Sequence, residues 1–400
     1  MGRLEMACER STQHDVIVIG GGPAGLAFAR SLADSGLRIA IVERQPHDAL
    51  ADPAFDGREI ALTHRSADIL QKLGVWDRID AAEIAPLRKA VVLNGSSPFA
   101  LSFGGEREGA DRLGHLVPNH LIRRALFQSI DGQTGLSLIT GQAVTEVRTD
   151  ADGAMVRLSD GTVLTGALLV AADSRFSDVR GRLGIGAEIN RLGRSMMVVR
   201  VAHEGEHGGV ATEWFEHGHT MAMLPLNGAL SSAVLTLPAG EMDRLMRLDE
   251  AALGQELTRR YQARLGDMRV VSSPHVYPLA TTYSHRFVTR RAALIGDAAV
   301  GMHPVTAHGF NFGLQGQATL AGLIAQAVAK GGDIAAPALL SRYEWTHRLA
   351  TKPLYSATNL IVGLYTDERL PQRIVRHAAL RAAARLPLLR GGVTRLLMQH

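Results

Sequence analysis

The stretch from Asp15 to Glu43, DVIVIGGGPAGLAFARSLADSGLRIAIVE, decides the fold of this 400-residue chain. It opens with the β-branched run VIVI, which is typical of a buried parallel strand. The glycines Gly20, Gly22 and Gly25 then lead into a segment with helical periodicity, and a second apolar strand ends at Glu43. Glycines in such a turn let backbone amides approach a pyrophosphate at a helix N-terminus, and an acid about 20 residues later accepts hydrogen bonds from a ribose. The stretch therefore predicts a Rossmann-like α/β domain that binds a dinucleotide.

A second motif far along the chain indicates which dinucleotide is bound. It runs from Ala292 to Gly316, AALIGDAAVGMHPVTAHGFNFGLQG, and places Gly296 and Asp297 directly after an apolar strand. A loop containing Gly309 follows, and a helix is expected to begin near Asn311. The arrangement brings an acid and a second helix N-terminus toward a polyol or an anionic ring. Because FAD needs its ribityl chain and ring system held as well as its pyrophosphate, FAD is the expected cofactor.

The composition is that of a well-packed globular protein, with 46% apolar and 20% charged residues. A chain of this length buries enough surface to fold without disulfides or a structural metal, and the lone Cys8 can form neither. His203 and His207, like His217 and His219, are interpreted as packing or surface residues, so no metal is expected. The polar N-terminus lacks a secretory pattern, and no apolar run is long enough to span a bilayer. These features favour a cytoplasmic protein.

The formal net charge of +4 is spread along the chain, which argues against nucleic-acid binding. The segment from Pro371 to His400 differs, because it carries six basic residues and no acidic one. The six are Arg373, Arg376, Arg381, Arg385, Arg390 and Arg395. Two interpretations stay open: a solvated helical tail, or contact with an anionic membrane surface, where each basic residue is worth about 1 kcal/mol.

Several further stretches resemble the aromatic-ring flavoprotein hydroxylases, and among them the ubiquinone-biosynthesis hydroxylases. DGREIALTHRSADILQKLGVW, from Asp56 to Trp76, is similar to a segment that supplies an arginine to FAD, here Arg58. VPNHLIRRAL resembles the helix that lies along the cofactor, and Arg124 is its expected contact. LLVAADSRFSDVR resembles the motif whose aspartate, here Asp173, is associated with both FAD and NAD(P)H. Gly296 to Asn311 resembles the ribityl and flavin-ring motif.

The resemblance implies a fold and a domain organisation. The fold is a para-hydroxybenzoate hydroxylase-like FAD-binding domain with an inserted β-sheet substrate domain and a helical C-terminal tail. The FAD-binding domain is discontinuous and comprises residues 15–80, 115–185 and 280–345. The substrate domain comprises residues 81–114 and 186–279, and the C-terminal helical region comprises residues 346–400.

Alternation and periodicity predict the elements of the inserted domain. Strands are expected at Met196 to Ala202, Ala211 to Leu226 and Leu230 to Leu237, and together they should cover the flavin and shape the substrate cavity. A helix is expected at Leu248 to Leu265, and a largely helical tail at Ala350 to His400.

The resemblance also implies the chemistry, an FAD- and NAD(P)H-dependent monooxygenation with dioxygen through a flavin C4a-hydroperoxide. The site must exclude water, because a hydrated peroxide decays. His303, Pro304 and His308 lie in the loop expected to face the flavin, and these residues are the catalytic candidates. A histidine there can stabilise negative charge on the reduced ring, help to deprotonate a phenol, or serve as a structural residue.

Several residues depart from the family pattern. Ser174 replaces a glycine after the aspartate, Val300 replaces a histidine, Ala307 and His308 replace Gly-Gln, and Gly316 replaces an aspartate. Together the variants resemble most closely the demethoxyubiquinol 5-hydroxylases.

The implied substrate is a polyprenyl phenol or quinol. At about 0.8 kcal/mol for each buried CH₂ group, such a molecule does not dissolve freely in water. The enzyme must meet it at the inner membrane as a peripheral protein, or receive it within a biosynthetic complex. The alternatives are a hydroxylase of a soluble phenol or polyketide, a flavin reductase of isoprenoid double bonds, and a non-catalytic flavoprotein subunit.

Overall fold

The computed structural model describes residues 11–95, 100–104, 112–216, 219–304 and 307–366. Cys8 and the arginine-rich segment from Pro371 to His400 lie outside these residues. Strands and helices are numbered along the chain. The helices are α1 (Pro23–Ser31), α2 (His47–Ala51), α3 (His64–Lys72), α4 (Asn119–Ser129), α5 (Asp178–Arg182), α6 (Ala239–Leu245), α7 (Glu250–Arg260), α8 (Gly309–Ala329) and α9 (Pro337–Thr366).

A six-stranded sheet forms the centre of the cofactor domain. Its order is β20 (Val288–Thr289), β21 (Ala292–Leu294), β13 (Leu168–Ala171), β2 (Val16–Ile19), β3 (Ile39–Glu43) and β9 (Leu136–Thr140). All neighbouring pairs are parallel except β20 with β21. The β-branched run of β2 is fully buried between its neighbours, as a strand covered on both faces requires. Helices α1, α4, α8 and α9 contribute to the same hydrophobic core.

Two small sheets flank this domain. One has the order β1 (Ser11–Gln13), β12 (Val163–Gly166), β11 (Ala154–Leu158) and β10 (Val144–Thr149). The other has the order β4 (Glu59–Leu62), β8 (Gly114–Pro118) and β5 (Ala85–Leu87). The second places Arg58, which directly precedes β4, beside the start of α4.

A large, mainly antiparallel sheet occupies most of the range expected for the substrate domain. Its order is β22 (Val300–Gly301), β19 (His275–Ser284), β14 (Ala187–His203), β17 (Leu230–Pro238), β16 (His219–Pro225), β15 (Val210–Glu216), β6 (Lys89–Asn94) and β7 (Leu101–Phe103), and β18 (Met268–Val270) pairs with β14. Strands are therefore present where alternation predicted them. Strand β19 continues without a break past residue 280, so the large sheet extends into the range expected for the cofactor domain.

The helical expectations are met in part. The segment expected at Leu248 to Leu265 contains α7, which ends at Arg260 because Gln262 and Ala263 adopt left-handed φ values of 55° and 49°. Helix α8 begins two residues before Asn311. Helix α9 begins well before residue 346, at Pro337, and the rest of the expected tail lies outside the described residues.

Candidate functional site

Four sequence motifs meet at one edge of the six-stranded sheet. Gly20 follows β2, Glu43 ends β3, Asp173 lies just beyond β13, and Gly296 lies just beyond β21. These strands are adjacent and parallel, so their carboxyl ends lie side by side. Open α/β sheets bind ligands in the crevice outside the carboxyl ends of their strands. The fold thus brings together residues that are more than 250 positions apart.

The three glycines of the first motif have different structural roles. A Cβ on Gly20 would lie 2.5 Å from the carbonyl oxygen of Ala172, and one on Gly25 would lie 2.0 Å from the carbonyl oxygen of Gly20. Both positions require glycine for packing. A Cβ on Gly22 would meet nothing within 4 Å, although Gly22 caps the N-terminus of α1. The open space in front of this helix end fits a bound pyrophosphate.

Glu43 is fixed at the end of β3 by two backbone amides. The amide of Gly21 donates to its Oε2 at 2.7 Å, and the amide of Gln45 donates to its Oε1 at 2.8 Å. The first bond ties the glycine turn to the neighbouring strand. The carboxylate is therefore held beside the turn, where the motif predicts a ribose diol.

Arg58 is held in place by several partners. Its guanidinium donates to Oδ2 of Asp56 at 2.6 Å and lies 5.3 Å from the ring centre of Tyr277. Asn119 also donates to Oδ2 of Asp56, at 2.7 Å. The Arg58 side chain still keeps 42% of its surface exposed, so it can contact an anionic ligand while anchored.

Arg123 is a residue of this cleft that the sequence interpretation missed. It lies close enough to Glu43, Asp56 and Arg58 for their charges to affect its pKa, which burial lowers from its ordinary value. The predicted contact, Arg124, lies close enough to His120 to affect the pKa of that residue, and its contact with a cofactor stays a prediction. Adjacent residues of a helix point about 100° apart, so the two arginines have different surroundings.

Asp173 supports the start of the short helix α5, whose N-cap is Ser177. Its Oδ1 accepts a hydrogen bond from Ser177 Oγ at 2.6 Å, and its Oδ2 accepts one from the amide of Val179 at 3.3 Å. Burial nevertheless raises the pKa of this carboxyl, because its loss of water outweighs these bonds. The next residue, Ser174, has φ of 151°, in the region that favours glycine.

The second motif contacts the first at α1 and is tied to the Asp173 segment through Arg175. Gly296 has φ of 59°, and a Cβ there would lie 2.8 Å from that of Ala24 in α1. The guanidinium of Arg175 donates to Oδ2 of Asp297 at 2.8 Å. Both side chains are about one-third exposed, so the Asp297 carboxylate is oriented and still accessible to a ligand.

Asn311 holds the start of α8 against the cofactor domain. Its Oδ1 accepts from the amide of Thr63, and its Nδ2 donates to the carbonyl oxygens of Ala61 and Ala307. The buried side chain thus binds the chain's own backbone. A Cβ on Gly309, the first residue of α8, would meet only the Cβ of Met302, at 3.8 Å. The helix N-terminus therefore leaves room for a ligand.

The loop before α8 carries the three catalytic candidates. His303 is buried, and burial together with the positive charge of Arg175 lowers its pKa to about 4. The imidazole is thus neutral at pH 7, and it can take part in hydrogen bonds but does not supply positive charge. Pro304 follows it, half-buried. His308 is buried at the N-terminal end of α8, with its ring 5.8 Å from that of Phe312.

His203 has a structural role, and His217 lies outside the described residues. His203 uses both ring nitrogens, toward the carbonyl oxygen of Gly205 at 2.8 Å and toward Ser231 Oγ at 2.9 Å. Within the described part of the chain, no group of three or more His, Cys, Asp or Glu side chains could hold a metal ion.

The large sheet faces the cofactor domain with one of its two surfaces. Val198 and His275 on this surface contact the chain at Gly57, where a Cβ would lie 2.8 Å from Val198 Cγ2. Arg200 on the same surface forms an ion pair with the buried Glu59 of β4 at 2.8 Å. The sheet is thus docked beside Arg58.

Comparison with known proteins agrees with this geometry. A family model described as FAD binding domain matches residues 13–356. The ubiquinone hydroxylase UbiM of Neisseria meningitidis is 44% identical, over 97% of this chain and 85% of the relative. The ubiquinone hydroxylase UbiL of Rhodospirillum rubrum is 33% identical, over 96% of this chain and 89% of the relative. The solved structure of p-nitrophenol 4-monooxygenase PnpA from Pseudomonas putida DLL-E4 covers 97% of this chain and 99% of its own, with 18% identity and a TM-score of 0.76.

Proposed function

The chain belongs to the FAD binding domain family and is an FAD-dependent aromatic monooxygenase, and from this premise we propose that it hydroxylates the ring of a polyprenylated quinone precursor. The names of its relatives support a quinone-type substrate. We propose a demethoxyubiquinol-type ring as the substrate's head group, because the sequence variants around Ser174 and Ala307 resemble those of demethoxyubiquinol hydroxylases. Ring hydroxylation consumes one NAD(P)H, one proton and one dioxygen, and releases NAD(P)⁺ and water.

The residues at the sheet edge fit FAD. The open space at Gly22 accepts the pyrophosphate, Glu43 accepts the ribose hydroxyls, and Arg58 with Arg123 supplies positive charge. Asp297, which Arg175 orients, is the proposed hydrogen-bond acceptor for the hydroxyl groups of the ribityl chain. When bound, FAD supplies the two-electron chemistry that activates dioxygen. The task left to the chain is to place an aromatic ring beside the flavin and keep water away.

One observation carries the proposal: one surface of the large sheet packs against the segments that carry Arg58 and Arg175, beside the cofactor motifs. Arg58 stands at the junction, anchored to Asp56 and stacked near Tyr277 of β19. The sheet surface offers apolar side chains such as Met196 and Val234 to a ring. This geometry suits an aromatic substrate that must meet a flavin away from solvent.

The decisive experiment is quinone profiling of a strain that lacks this protein, with and without complementation. We expect loss of ubiquinone and accumulation of a precursor that lacks one ring oxygen, and the mass and ring pattern of that precursor name the position. In vitro, the product should carry one ¹⁸O atom from ¹⁸O₂. An unchanged quinone profile, with hydroxylation only of soluble phenols, would instead favour the soluble-substrate alternative.

For the reductant we propose that NAD(P)H binds transiently near Asp173 and Arg175. The raised pKa of the Asp173 carboxyl and the partial exposure of Arg175 support a polar docking point at this edge. Stopped-flow reduction of the flavin should slow markedly in Asp173→Ala. Ser177→Ala is the matched control, because it removes the partner of Asp173 Oδ1 but leaves the carboxyl. Equal rates in wild type and Asp173→Ala would remove Asp173 from hydride delivery.

We further propose that the enzyme reaches its substrate from an anionic membrane surface. None of the described helices is long and apolar enough to cross a bilayer. The outer side of α9, however, leaves three large apolar side chains in solvent: Trp345 is 67% exposed, Leu349 71% and Leu360 65%. At 3.6 residues per turn they share one side of the helix with the exposed Arg342 and Lys352. An apolar stripe with basic neighbours fits a lipid surface.

The arginine-rich segment from Pro371 to His400 follows this helix and adds positive charge without any acid. Replacing both Trp345 and Leu349 by serine should weaken binding to vesicles with phosphatidylglycerol, and deleting residues 371–400 should reduce the salt dependence of that binding. Both variants should keep their FAD and hydroxylate a short-chain analogue as well as the wild type does. Vesicle binding equal to that of the wild type in both variants would rule out this membrane contact.

A further inference from the structure

The two surfaces of the large sheet are packed very differently. The surface that carries Met197, Val199, Leu235 and Trp214 is sealed by α6 and α7, and these side chains are 0–1% exposed. Met221 and Met223 lie in the same core. The opposite surface, which faces the cofactor domain, keeps accessible side chains even in central strands.

Glu213 stands in the middle of this accessible surface. The register places Glu213 opposite Ala222, Ala222 opposite Val234, and Val234 opposite Val198, so these side chains form one row across four strands. On its other side Glu213 faces Val92 of β6. Residues directly opposite each other share a sheet surface. The row ends at Val198, which contacts the segment that carries Arg58. Three strand spacings of about 4.8 Å separate Glu213 from Val198, a distance of roughly 14 Å.

The surroundings of Glu213 are apolar and offer its carboxyl group no partner. Within the described residues it makes no hydrogen bond or ion pair, and no charged side chain affects its pKa. Burial alone raises that pKa to about 8. The residue as a whole nevertheless keeps part of its surface accessible, so the described part of the chain does not cover it completely.

A carboxyl group in this position reduces stability. Placing an acid between Val92 and Ala222 without a hydrogen-bond partner costs free energy that an apolar residue would not cost. Other acids at the interface of the two domains have partners: Glu59 has Arg200, and Asp56 has Arg58 and Asn119. Glu213 differs from them because no residue in the described part of the chain partners its carboxyl group.

Resting on the proposed function, we propose that the Glu213 carboxyl group binds a ring hydroxyl of the aromatic substrate and thereby orients the ring in the cleft. A protonated carboxyl both donates and accepts hydrogen bonds, as a phenol does, so the two groups can satisfy each other in a site that excludes water. The apolar neighbours then contact the ring itself. This makes Glu213 a substrate-binding residue on the side of the cleft opposite the cofactor motifs.

The test compares binding of two probes to the FAD-loaded enzyme. Methoxyhydroquinone has free hydroxyl groups, and 1,2,4-trimethoxybenzene has the same substitution pattern with each hydroxyl methylated. In Glu213→Leu, the dissociation constant for methoxyhydroquinone, measured from the flavin absorbance change, should rise roughly tenfold or more, while that for trimethoxybenzene stays unchanged. Glu213→Gln keeps the shape and the hydrogen-bonding groups of the side chain, so it should lose less affinity for methoxyhydroquinone. This variant replaces Glu213→Leu in the test if the leucine variant does not fold.

Glu216→Gln is the matched control, since Glu216 lies three residues along β15 and its side chain points to the other surface. It should bind both probes as the wild type does. Equal loss of both probes in Glu213→Leu would mean a packing role, and no loss of either would remove Glu213 from the site; either result overturns the inference. The proposed function is tested separately. A normal quinone profile in the strain without this protein would contradict it, even if methoxyhydroquinone binding still depended on Glu213.

Discussion

Arg175 and Asp297 form an ion pair between the ends of two neighbouring strands, with Nη2 and Nε of the arginine 2.8 and 3.2 Å from Oδ2 of the aspartate. A third donor of Arg175 reaches the carbonyl oxygen of Ala280 in β19 at 3.0 Å. The arginine thus connects the cofactor sheet, the second cofactor motif and the substrate sheet.

We predict that Arg175→Gln weakens FAD binding more than it weakens the fold. The pair is about one-third exposed, so its loss should cost no more than about 1 kcal/mol of unfolding free energy. The dissociation constant of FAD should rise several-fold, because Asp297 is no longer oriented. A double mutant with Asp297→Ala should bind FAD no worse than Asp297→Ala alone. Additive losses would show that Arg175 acts independently of Asp297.

Gly22→Ala should separate cofactor binding from folding. Gly22 has φ of −76° and open space around its missing Cβ, so alanine should change the thermal stability of the apoprotein little. The added methyl group would occupy the space assigned to the pyrophosphate, and FAD occupancy by absorbance should fall by tenfold or more. Gly240→Ala, in α6 and also in open space, is the control that should keep full occupancy. Full occupancy in Gly22→Ala would exclude close backbone approach there.

Ser174→Gly should stabilise the protein. Ser174 has φ of 151°, and a non-glycine residue in that region carries strain of about 1 kcal/mol. The gain in unfolding free energy should be of that order in urea denaturation. Ser137→Gly in the exposed part of β9 should instead destabilise, since glycine weakens a strand. A loss of stability in Ser174→Gly would mean that the serine side chain provides a compensating bond.

The pH dependence of stability should reveal Glu213. Its folded pKa is raised to about 8 from 4.5, so between these values the folded state keeps a proton that the unfolded state has released. The unfolding free energy must therefore fall as pH rises through this window, on the order of a few kcal/mol in total. Urea denaturation of wild type and Glu213→Gln at pH 5 and pH 8 measures the difference. Parallel pH curves for the two proteins would mean that the carboxyl is solvated.

The sequence predicted the cofactor half of the fold well, for physical reasons. A buried parallel strand, a glycine turn and an acid at fixed spacing are local features, and Gly20, Gly22 and Glu43 lie where these features placed them. The strand before Gly296 was equally clear. The surroundings of each arginine of α4 depend on how the helix is rotated against the sheet, so the nearness of Arg123 to Glu43, Asp56 and Arg58 became visible only in the structure.

The substrate half was less predictable because its key contacts are between distant strands. Alternation found β14 to β17, but Glu213 lies in VATEWFE, where an acid has the pattern of an ordinary solvent-facing residue. Only the pairing with Ala222 and Val92 places it on the inner surface. The turn that ends α7 was likewise not predictable, because its left-handed residues are Gln262 and Ala263 and neither is a glycine.

The order of strands in the cofactor sheet constrains how the protein can be made. Strand β21 pairs with β13 and completes the parallel sheet, yet its first residue is Ala292. During synthesis the ribosome must therefore extend the chain through the whole substrate domain before the cofactor sheet can close. Such long-range pairing slows folding and leaves the edge of β13 open to other chains meanwhile. We expect nascent chains that stop before Ala292 to depend on chaperones, and FAD to be captured only after β21 and Gly296 have emerged.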